Sequence, residues 1–188
     1  MIRKLEDYNQ FIIIAGFRDI KMRDVNAFLK LIKGETGDAC VQFFDAALVA
    51  SWEHLYFAAL NASNAFKNKL NISNSLAVET LLYASAQRQI NRAVRLLGIK
   101  PNSRQIAVLI LAESTPKVAS TLEIVSGLVA GERDDSVLEL THEKVEGIRE
   151  LFGITDVELE AKLEKEGLES KALTDLVIEH GALLATQR

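Results

Sequence analysis

Residues 105–112 read QIAVLILA, in which 106–112 are an unbroken apolar run rich in β-branched residues. Such a run is short for a helix and suits a strand buried on both faces. Its flanks set the fold class. Upstream, residues 75–97 form an amphipathic helical pattern that Gly98 stops. Downstream, Ser114 offers a hydroxyl cap and Pro116 a first helical turn, opening a pattern that runs to about Val129. A strand held between two helices is the building unit of an α/β protein.

The same reading extends outward. FIIIAGF (11–17) and CVQFF (40–44) are two more apolar strands, and Asp24 caps a helix between them that ends before GETG. Ser51 caps a helix with Trp52, Leu55, Tyr56, Ala59 and Phe66 on its inner face. SVLEL (136–140) alternates like a half-buried strand, and helices follow from Thr141, Asp156 and Ser170, the last running to Leu184. The expectation is a single α/β domain, with a small mixed sheet of about four strands and about seven helices. Residues 1–10 stand as a candidate disordered lead-in, and 153–188 as a helical C-terminal part.

Hydrophobic residues make up 48% of the 188, enough for a core without staples, and Cys40 is the sole cysteine. The start, MIRKLEDYNQ, lacks the apolar run of a secretory leader, and no stretch approaches the ~18 apolar residues of a membrane span. A soluble cytoplasmic protein is expected. The net charge of −4 is unevenly spread. Residues 54–112 carry seven basic residues and one acid, Glu79, whereas 113–188 carry eight basic and seventeen acidic. Two surfaces of opposite sign follow.

Signals of catalysis are weak. IKGETGDAC has two glycines but not the spacing of a phosphate-binding loop. His54, His142 and His180 stand apart without metal-ligand spacing. Cys40 sits in an apolar strand, where burial keeps a thiol inert, and ERDD (132–135) reads as a solvated loop. No catalytic residue, metal or cofactor is expected, and a binding protein is the better reading.

Taken as one helix, residues 75–97 put Ala86, Ile90, Ala93 and Leu97 on a buried stripe and Arg92 and Arg95 within about 40° of Arg88 outside. Ala84 and Ser85 flank the arginines, so a partner could approach the backbone closely. Glu79 falls on the buried side, near the helix start, where unpaired backbone N–H groups favour a carboxylate.

The stretch NSLAVETLLYASAQRQINRAVRLLGIK (74–100) resembles the motif region of the kinase-binding subunits of the KEOPS complex, the PRPK-binding proteins and their archaeal counterparts. The likeness extends over roughly 10–186 and is strongest at 74–112 and 127–140. It implies a non-catalytic subunit that binds and supports the complex's small kinase-like ATPase. That assembly makes threonylcarbamoyladenosine (t6A) next to the anticodon, and the subunit helps capture tRNA by its 3′ CCA end. On that reading Lys67, Lys69, Arg88 and Arg92 would meet phosphates, while Asn74, Ser75 and Gln89 would meet base edges. The stripe Leu173, Leu176, Val177, His180, Leu183 and Leu184 is the candidate kinase interface, with plain core packing as its alternative. Partners are then the kinase-like subunit and tRNA, with no membrane and no DNA. Two other readings stay open: a small cytoplasmic enzyme with a pocket at the strand ends, and a general RNA-binding module.

Overall fold

The computed structural model describes residues 2–166 and 168–186, which divide into two units built from discontinuous segments. The first takes the chain up to Ala46 and Gly98–Val137. It holds β1 (Ile2–Leu5), β2 (Gln10–Arg18), α1 (Val25–Thr36) and β3 (Cys40–Asp45). The second unit, Ala47–Leu97 and Leu138 onward, holds α2 (Trp52–Lys67), α3 (Leu76–Ala84) and α4 (Ile90–Leu97). The chain then returns to the first unit with β4 (Ile106–Ala112), α5 (Thr115–Leu128) and β5 (Glu132–Arg133). It closes the second unit with α6 (His142–Phe152), α7 (Asp156–Glu166) and α8 (Glu169–Leu183).

The α/β class holds. The sheet order is β1-β2-β4-β3, with β5 pairing with β2. Every pairing is antiparallel, where a mixed sheet was expected. The reason is topological. Helix α1 links β2 to β3 as in a parallel crossover, but β4 inserts between them and runs opposite to both. Every residue of β4 is buried, as the apolar run 105–112 requires of a central strand. Its Val108 and Ile110 meet Ile13, Phe17, Phe43, Val118 and Val125 in one core. Residues Ile2–Leu5 pair with β2 as a strand, although they carry no periodic signal.

SVLEL is not a strand. Asp135–Leu138 winds into a 3-10 turn, and the strand before it covers only Glu132–Arg133. The cause lies on β2, where the Gly16 N–H donates to the Asp135 carboxylate at 2.9 Å. A Cβ at Gly16 would stand 2.4 Å from both the Asp134 carbonyl and Val137 Cγ2, so the segment lies flat on a residue without a side chain.

In the second unit, Ala50, Ile148, Phe152, Ile154, Leu159, Ala172, Leu173, Leu176 and Val177 form the core. Helix α2 contributes Leu55, Ala58, Ala59, Ala62 and Ala65, all buried, while Trp52, Tyr56 and Phe66 are half-buried. Its alanines, more than its large residues, mark the inner face. Among the described residues no helix is long and apolar enough to cross a membrane.

Candidate nucleic-acid and kinase interfaces

The expected single helix over 75–97 is two helices. Helix α3 starts on Ser75, whose hydroxyl accepts from the Val78 N–H at 3.4 Å, and it stops at Ala84. Ser85 turns its hydroxyl back onto the Leu81 carbonyl at 2.8 Å, and Ala86 takes a left-handed φ of 50°. The Ala86 and Gln87 N–H groups then donate to Tyr83 and Leu82 carbonyls at 3.2 and 3.0 Å, the paired bonds of a Schellman cap. Helix α4 restarts when the Gln89 carbonyl accepts from Arg92 and Ala93 N–H groups at 3.0 and 2.9 Å.

This break corrects the arginine row. Arg88 lies on the turn, and its guanidinium Nη1 donates to the Leu184 carbonyl at 3.4 Å. Arg92 and Arg95 are exposed on α4, beside the exposed Ile90 and Val94. Gln89 is exposed as well. The small residues also change meaning. Ala84 and Ser85 are fully buried, so they clear space inside the protein. A Cβ on Gly181 of α8 would stand 2.8 Å from the Tyr83 carbonyl, and the His54 ring reaches the Ala84 carbonyl at 2.7 Å.

The other candidate nucleic-acid residues precede α3. Helix α2 ends in a second Schellman cap, with Lys69 left-handed at φ 58° and Leu70 N–H bonded to the Ala65 carbonyl at 2.8 Å. Lys67, Lys69, Asn74 and Ser75 are all exposed. The Glu79 carboxylate is wholly buried and accepts from the Ile72 N–H at 3.1 and 3.0 Å and from the Ser73 N–H at 2.7 Å. The structure therefore brings Lys67, Lys69, Asn74 and Ser75 to one end of α3, and Arg88, Gln89 and Arg92 to the other. Nine residues of helix separate them, about 13 Å at helical rise. Tyr83 lies between, buried. Burial pushes its phenol pKa up, the Glu79 carboxylate adds to that, and Arg88 opposes it.

On α8 the candidate stripe is mostly core. Leu173, Leu176, Val177 and Leu184 are buried, Leu183 is exposed, and His180 is half-buried beside Glu158 at 3.8 Å. The outer side of α8 instead forms one wall of an open groove of about 490 Å³, with Phe57 and Glu53 of α2, Leu140, Thr174 and Ile178 among its lining. A larger cavity, about 860 Å³, is walled by Glu143, Glu146, Glu150, Asp156, Glu169 and Arg149.

Two titratable side chains are held in their neutral forms, the half-buried Cys40 and the buried His54. Burial pushes the Cys40 thiol up to about 12, so it keeps its proton. It pushes the His54 imidazole down to about 4. His54 Nδ1 accepts from the Ala50 N–H at 3.3 Å, which makes Nε2 the protonated nitrogen that donates to Ala84. The ring packs edge-on against Phe152 with centroids 5.6 Å apart. Sequence reasoning gave His54 no role; its place on the alanine face of α2 was the available signal. Among the described residues no group of His, Cys, Asp and Glu could hold a metal ion.

Comparison with known proteins identifies the family. The family described as Kinase binding protein CGI-121 matches residues 17–184. Over 113 residues the chain is 36% identical to the Regulatory protein Cgi121 of Methanocaldococcus jannaschii, covering 60% of this chain and 70% of that protein. A match that spans nearly the whole chain places it, as a member, in the CGI-121 family of kinase-binding proteins.

Proposed function

We propose that this chain is a non-catalytic, cytoplasmic subunit of a KEOPS-type complex, which docks the kinase-like ATPase and receives the 3′ CCA end of tRNA during t6A synthesis. Family membership supports the kinase partner. The tRNA reading rests on one observation: exposed cations and amides occupy the segments that flank both ends of a buried helix. Lys69, Asn74, Gln89 and Arg92 are exposed there. A flexible single strand can lay phosphates on the cations and turn base edges to the amides. The acid-walled cavity of α6 and α7 repels RNA, which favours the α3–α4 face for the strand.

The kinase-like partner is assigned to the groove between α2 and α8. Its apolar lining, Phe57, Leu140 and Ile178, suits a helix or loop with apolar anchors, and the acids Glu53, Glu139 and Asp175, which outnumber the single base Lys171, suit basic flanks. The buried members of the α8 stripe hold the helix in place, and His180 and Leu183 do not line this groove.

The test compares tRNA with and without its CCA end at the same salt. Tight binding only to the intact molecule is expected, and Arg92→Glu should lower the slope of log affinity against log salt by about 0.7, one single-strand phosphate contact. Equal binding of both tRNAs would reduce the surface to nonspecific electrostatics and refute the CCA assignment.

A further inference from the structure

Among the described residues Glu79 is the only buried acid, and burying a carboxylate costs several kcal/mol unless hydrogen bonds replace its water. The donors that replace it are the amides of Ile72 and Ser73, on the segment before its own helix. Two further bonds tie that segment to itself and a third ties it to α3. Asn71 Nδ2 donates to the Ser73 carbonyl at 3.0 Å, the Ser75 N–H donates to Ser73 Oγ at 3.1 Å, and Ser75 Oγ takes the Val78 N–H. Within this net Asn74 is exposed.

An apolar residue at position 79 would pack into α3 without the desolvation cost. It would not fix the loop. We propose that Glu79 is a positioning residue, which holds the Ile72–Ser75 turn so that Asn74 is presented, already ordered, to a single-stranded nucleic acid. The assignment rests on the tRNA reading above. Binding to a loose loop pays for ordering it, and that cost falls directly on affinity.

The experiment uses the full chain, a tRNA transcript ending in CCA, and the kinase-like subunit. Glu79→Gln keeps the shape but turns an NH₂ toward backbone N–H groups. It should lower tRNA affinity about ten-fold, leave kinase binding within about two-fold, and speed exchange of the Ile72 and Ser73 amides. Adding Asn74→Ala to Glu79→Gln should cost nothing more, because the two act through one contact. Fully additive losses, unchanged tRNA binding, or equal loss of both partners would each overturn the proposal. If Glu79→Gln fails to fold, Ser73→Ala cuts the tether to Ser75 from within the loop and is judged by the same three outcomes. A wild-type chain that ignores the CCA end would overturn the tRNA reading and this assignment together; wild-type binding with indifferent variants overturns the assignment alone.

Discussion

Acidification should destabilise this protein through His54 in a way that can be isolated. The ring is buried at 2% exposure and both nitrogens are committed, one to the Ala84 carbonyl and one to the Ala50 N–H. A second proton would have to sit on Nδ1, against an N–H that now donates to it. Burial accordingly holds the folded-state pKa near 4, against 6.5 for the free side chain. Above the unfolded value both states are neutral and the full stability is present. As pH falls below it the unfolded chain takes up a proton that the folded chain refuses, so stability is lost until the folded ring also titrates. The gap, at about 1.4 kcal/mol per pH unit, is worth about 3 kcal/mol. Carboxylates titrate over the same range, so the assay is urea unfolding from about pH 7 to about pH 4.5, wild type against His54→Gln. Glutamine keeps a donor and an acceptor but no proton equilibrium. The wild-type line should be the steeper of the two. Parallel lines, or a His54 resonance titrating near its free value, would refute the burial argument.

Three further substitutions test the placement of the other groups. Leu176→Arg puts a charge at a site 7% exposed, so it should unfold the chain, on the order of 4 kcal/mol by thermal melt; Ile178→Asp, on the groove wall, should instead lose the kinase with the melt unchanged. A folded Leu176→Arg protein that had merely lost its partner would contradict the core position. Ala86→Gly should stabilise by about 0.5–1 kcal/mol in urea, because relief of the left-handed φ outweighs the entropy glycine gains when unfolded.

The strands β2, β3 and β4 were legible because their burial is written in composition, whereas β1 carried no such signal and SVLEL carried a false one. FIIIAGF, CVQFF and QIAVLILA correspond to β2, β3 and β4 within a residue or two. Helix starts were legible wherever a side chain does the capping: Asp24, Ser51, Ser75 and Ser114 each accept a backbone N–H. The failures share a cause. The end of α3 carries neither glycine nor proline, and its left-handed residue is an alanine, which local propensity places inside a helix. What decides it is tertiary: the Ala84 carbonyl is taken by His54 and the Tyr83 carbonyl lies against Gly181. By contrast α6 ends at Gly153, left-handed at φ 67°, and that stop was readable. Glu79 was half legible. Its place on the buried side showed that it needed donors, but the amides of a preceding loop cannot be read from helical spacing.

The small residues of YASAQRQI therefore serve a different end from the one their pattern suggests. In a continuous helix they would open a surface to a partner; here Ala84 and Ser85 make room for the protein's own His54 and α8. That clearance ends α3 and throws Arg88, Gln89 and Arg92 onto a turn and a new helix. The turn is also tied to the far end of α8, through Arg88 and the Leu184 carbonyl. One chain segment thus carries candidate nucleic-acid residues whose posture depends on the helix that walls the groove proposed for the kinase. Rigid, buried α3 spaces the two exposed turns at a fixed distance, which a flexible linker could not do. The division of labour follows from burial: the helix sets the span, and the segments flanking it carry the exposed side chains.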